Sequence, residues 1–189
     1  MDRRIQRFAK LFRAIFFATL VLSPVIMAVL WLSGGEILLG DGGLTTTIGL
    51  VRDNVSLDAA HAPAFPLAWG QRWLGLGVGL IPLGATMLCL WWLVRLFSLF
   101  STGEIFTGNT VKYIRRTGWT MLAGVALMPI HEALLTLVLT MHNPPGERLI
   151  TISLESGDAR DLLIAGIIIL VSWIMDEGRK LRETDELTV

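Results

Sequence analysis

The sequence predicts an all-α integral membrane protein, a single polytopic domain of four transmembrane helices with a small two-stranded β lid on its extracytoplasmic side. Three observations predict it. Four apolar stretches, Ala14 to Leu32, Trp73 to Phe97, Gly118 to Met141 and Leu162 to Met175, are long enough to cross or nearly cross a bilayer. Hydrophobic residues make up 53% of the 189 positions against 17% charged, and the seven Trp suit membrane interfaces better than a small soluble core. The net charge is zero, yet the basic residues are placed unevenly: twelve Lys and Arg flank one side of the spans and four the other. The positive-inside bias then puts both termini, the middle loop 98–117 and the tail 177–189 in the cytoplasm, with loops 33–72 and 142–160 outside.

The first stretch follows Arg3, Arg4, Arg7, Lys10 and Arg13, the flank of a signal peptide as much as of an anchor. Its apolar run is longer than the ~7–15 residues of a signal core, and Trp31 stands where cleavage wants a small side chain, which favours a retained helix. The second stretch carries Gly75, Gly77 and Gly79; the Gly75/Gly79 pair is a GxxxG pattern, read as close packing within the chain rather than as a dimer seam. Its Cys89 is the sole cysteine, so no disulfide forms within the chain, and an apolar thiol without basic neighbours reads as packing. Pro24, Pro82 and Pro129 fall in the first three spans and predict kinks.

The third stretch is interrupted by His131 and Glu132, directly after Pro129. Ionisable residues at that depth are functional candidates by default, for transport or a proton relay. The competing structural reading has them snorkelling to the outer interface, or Glu132 clamped to His131, Arg72 or an outer-loop residue. His61, His131 and His142, with Glu132 and Asp158, invite a metal site, but no histidine pair has ligand spacing. No metal or cofactor is expected. The fourth stretch, bounded at about 161–176, rises only ~21 Å over Leu162 to Met175 and needs Asp158, Asp161 and the charged residues after Met175 to extend its helix.

Between the third and fourth stretches, Asn143-Pro144-Pro145-Gly146 should break the helix and lead into Arg148 to Glu155, an alternating β-prone run. Leu44 to Arg52 in the first loop is similarly β-prone, and pairing of the two would make the lid. That lid is a structural cover or, less economically, a sensing surface.

On the cytoplasmic side, Thr107 can cap the helix that enters the third span, with Lys112, Arg115 and Arg116 facing lipid headgroups or a partner. The tail ends in Leu187-Thr188-Val189 beyond the i,i+4 pairs Arg179/Glu183 and Arg182/Glu186, and could dock on a partner or fray. Neither HExxH, Gly-x-Ser-x-Gly nor a P-loop occurs, so an enzyme is not expected.

The run Gly103-Glu104-Ile105-Phe106-Thr107 with Asn109, then Ile114 to Trp119, Asn143 to Arg148, and Leu181 to Val189, resembles the bacterial four-span membrane proteins grouped as domain of unknown function 2975, DUF2975. The resemblance covers most of the chain from the second span onward. Members of that family are often encoded beside small Cro/CI-type helix-turn-helix regulators. The resemblance therefore suggests a bacterial membrane protein that partners a cytoplasmic regulator; the missing catalytic motifs add that it is non-enzymatic, the basic residues add membrane lipids as partners, and no direct binding of nucleic acid is expected. Glu104, Phe106, Asn109, Lys112, Arg115, Arg116, Leu187 and Val189 are the candidate contacts. A small transporter or channel subunit using His131 and Glu132 is the alternative.

Overall fold

The computed structural model describes residues 3–32, 47–48, 51–52, 67–104, 107–152 and 156–186. Four long helices account for nearly all of them: α1 Arg3–Leu32, α2 Trp69–Thr102, α3 Gly108–Thr140 and α4 Ser156–Glu186. Each overshoots its apolar run, because the flanking charged and polar residues continue the helix into polar surroundings. Three, from Gln6–Leu32, Trp69–Thr102 and Gly108–Thr140, are long and apolar enough to cross a membrane. In α4 the uncharged run stops at Asp161 and Asp176, short of that standard.

The expected pairing of the two outer loops is not found. Thr47–Ile48 (β1) and Val51–Arg52 (β2) pair antiparallel with each other, Thr47 opposite Arg52 and Ile48 opposite Val51, so the first β-prone run makes its own hairpin. Residues 147–152 form no strand. Their extended backbone runs along the end of α3 instead: Leu149 N donates to Thr140 Oγ1 at 3.2 Å and Thr151 N to Thr136 Oγ1 at 3.2 Å. Two residues of extended chain rise about 7 Å and four residues of helix about 6 Å, so a Thr-x-x-x-Thr face matches alternate amides of the segment. Residues 153–155 of the expected strand lie outside the described residues.

The chain falls into two compact units. One comprises Val21–Gly84 and Ala126–Leu154. Its interior holds Met27, Trp31, Leu83, Leu135 and Leu139. Gly75 and Gly79 lie against α1: a methyl on Gly75 would overlap the Trp31 ring, and one on Gly79 the Met27 Cε. The GxxxG pattern is thus occupied by α1 of the same chain.

The other unit comprises Met1–Leu20, Ala85–Val125 and Glu155–Val189. Phe12 and Phe16 meet Phe97 at ring separations of 5.5 and 5.4 Å. Trp92 stacks on Tyr113. The face of α4 bearing Ala165, Ile169 and Ser172 is buried, and Gly118 of α3 sits where a side chain would strike Ile169. On the opposite face Leu163, Ile167 and Ile174 are more than half exposed, which in water would be costly and in lipid is not.

Candidate functional site

The α2–α3 connection is built by caps at both ends. Gly103, with φ of 98°, ends α2: its amide donates to Phe100 O at 3.3 Å and that of Glu104 to Leu99 O at 3.0 Å, the paired bonds of a Schellman turn. Thr107 then starts α3, accepting from Thr110 N at 3.3 Å through Oγ1. Thr110 Oγ1, fully buried, donates back to Glu104 O at 2.8 Å. Gly103, Glu104 and Thr107 of the box, with Thr110, therefore lock the hairpin and fix the orientation of the first turns of α3.

Those turns present Asn109, Lys112, Arg115 and Arg116 as exposed side chains. Arg116 lies over the Trp92 ring, 4.6 Å from its centroid, so it is held against α2 while its donors remain accessible. Glu104 is exposed as well. Of the eight expected contacts, these five are brought to one hairpin; Phe106, Leu187 and Val189 lie outside the described residues. Near the other end of this unit's α4, Asp176 pairs with Arg179 at 3.2 Å and Lys180 at 3.7 Å.

His131 and Glu132 do not make a symmetric pair. His131 is 1% exposed, and its Nδ1 lies 3.2 Å from Val78 O. A carbonyl can only accept, so Nδ1 carries the proton. Val78 is the residue four before Pro82, whose missing N–H leaves that carbonyl without its helical donor. The histidine thereby supplies the bond that the proline removes. Glu132 is half-buried, and its backbone oxygen accepts from Thr136 Oγ1 at 2.9 Å.

Arg72, considered as a clamp for Glu132, is used at helix ends. Its Nε donates to Leu67 O at 2.8 Å and its Nη1 to Leu32 O at 3.2 Å, closing the carboxyl end of α1, while its guanidinium lies 5.2 Å from the Trp69 ring. Gln71 beside it does the same for two other helices. Its Oε1 accepts from Ala68 N at 3.1 Å, and its Nε2 donates to Val138 O and Leu139 O at 3.2 Å each. One buried amide thus completes the start of α2 and the end of α3. Sequence reasoning missed this role; the signal was a Gln in the third position of α2, three residues after Ala68, which has no capping side chain of its own.

Among the described residues, no three metal-ligating side chains come together, and His61 lies outside them. His142 is exposed.

The chain matches, over residues 58–189, the family described as "Protein of unknown function (DUF2975)". It belongs to that family. The DUF2975 match begins ahead of α2 and takes in α2, α3 and α4 with the tail, leaving α1 outside it, in keeping with the resemblance seen from the second span onward. No curated protein and no solved structure matches the chain.

Proposed function

We propose that this DUF2975 protein is a non-enzymatic docking protein of the bacterial cytoplasmic membrane, four-span with both termini cytoplasmic, and that the α2–α3 hairpin holds a small cytoplasmic regulator of the Cro/CI type. The observation that carries it is the locked hairpin: Asn109, Lys112, Arg115 and Arg116 are exposed on a helix start whose orientation is fixed by two caps and by the Arg116–Trp92 stack. A rigid basic face offers an acidic partner surface a preorganised match, whereas lipid attraction alone requires no fixed orientation. The regulator class comes from the family resemblance.

The orientation follows from the twelve-to-four division of Lys and Arg. The fourth crossing is supported by α4 itself, whose exposed Leu163, Ile167, Leu170, Trp173 and Ile174 make a lipid-like surface over a run of about 21 Å. An apolar run that short spans by local thinning of the bilayer or by packing behind its neighbours.

The test is affinity purification of the tagged chain from its native membrane. A helix-turn-helix protein should co-purify with wild type and be lost on Arg115→Ala/Arg116→Ala, with the helix content unchanged. Recovery of the same regulator with the double variant would remove the hairpin from the account.

A further inference from the structure

Within the unit that contains the start of α1 and the end of α2, a groove of about 580 Å³ runs between these two helices. Lys10 and Arg13 from α1 and Arg95 from α2 converge on it, and no acidic side chain lines it. Among the described residues, none of these three cations is in an ion pair. Three like charges drawn to one groove repel one another and call for an anion.

The groove is amphipathic along its length. Lys10, Arg13, Ala14 and Phe17 form one i, i+3, i+4, i+7 stripe of α1, charged toward the helix start and apolar beyond it. Val94 continues the apolar wall on α2, and Ser98 adds a hydroxyl toward the charged end. Arg95 is stacked on Trp91, 4.8 Å from the ring centroid, which holds its guanidinium plane while leaving its fork of donors for a bidentate acceptor. Arg95 lies seven residues before the end of α2, about 10 Å along the axis.

We propose that this groove binds one anionic phospholipid, its phosphate held by Lys10, Arg13 and Arg95 and an acyl chain lying along Ala14, Phe17 and Val94. The site is separate from the α2–α3 hairpin surface. It rests on the membrane placement of the preceding section but not on the regulator.

The test is native mass spectrometry of the full chain in detergent, titrated with phosphatidylglycerol and with phosphatidylcholine of the same acyl chains. Flotation with phosphatidylcholine vesicles, run in parallel, reports the membrane placement independently. One phosphatidylglycerol per chain should bind about tenfold more tightly than phosphatidylcholine. That preference should vanish in Lys10→Gln/Arg13→Gln/Arg95→Gln, survive in the charge-matched Arg148→Gln/Arg160→Gln/Lys180→Gln, and resist inorganic phosphate. Should the groove triple fail to fold, the single variants decide: Arg95→Gln should weaken the preference and Arg95→Lys should retain part of it. Equal affinity for the two lipids, equal loss in both triples, or full displacement by inorganic phosphate alone would each overturn the proposal.

Discussion

His131 Nδ1 sits 3.2 Å from the carbonyl oxygen of Val78, the acceptor that Pro82 strips of its helical partner. A proline inside a helix removes a backbone hydrogen bond, and a side chain of a neighbouring helix supplies a donor to the freed carbonyl here.

That relationship predicts a thermodynamic coupling. His131→Leu should destabilise the protein by about 1–2 kcal/mol, because it leaves the Val78 carbonyl unpaired. In a Pro82→Ala background, where the amide of residue 82 can reach Val78, the same change should cost about 1 kcal/mol less. Thermal unfolding of the four variants in detergent measures the cycle, and additive effects would contradict the role given to His131.

Gly75→Ala should cost about 1–3 kcal/mol, since the added methyl meets the Trp31 ring, while Gly77→Ala meets nothing within 4 Å and should be near neutral. Size-exclusion chromatography of both variants should show no change in assembly. A Gly75→Ala protein that kept its stability but lost a dimer would move the GxxxG face to an intermolecular seam.

Where the start of α2 meets the end of α3, Gln71→Leu removes the acceptor of Ala68 N and the donor to two α3 carbonyls, a loss of about 2 kcal/mol. Gln71→Glu retains the acceptor but turns a carboxylate toward Val138 O and Leu139 O. It should therefore be no more stable than the leucine variant in the same melting experiment.

The segment after Asn143 depends on two hydroxyls. Thr136→Val and Thr140→Val together should release the Leu149 and Thr151 amides, raising their hydrogen exchange by about tenfold or more while α3 amides before residue 130 stay protected. Unchanged protection at 149 and 151 would show that something other than these threonines holds the segment.

Much of this was legible in the sequence. The apolar runs located the helices, Thr107 announced the start of α3, and Asn143 to Gly146 its end, because each is decided by local chemistry. The β lid was not legible. Ile150-Thr151-Ile152 has the composition of a strand, but a backbone amide can donate to any acceptor, and Thr136 and Thr140 become the acceptors only when α3 is folded. The same holds for Gln71, Arg72 and His131, each of which bonds a backbone carbonyl at least five and up to 68 positions away. A carbonyl carries no side-chain signature. The basic hairpin was readable as residues but not as a surface, since the stacking of Arg116 on Trp92 depends on how α2 meets α3.

The docking claim is tested most directly by in-cell photocrosslinking, with a photoreactive amino acid placed at Asn109 on the hairpin or at Ile150 after α3, both exposed positions. A Cro/CI-type regulator should crosslink from position 109 and not from 150, and the adduct should disappear when Arg115 and Arg116 are replaced by alanine. An adduct at 150 instead, or none at 109 with the regulator present in the cell, would contradict a cytoplasmic docking hairpin.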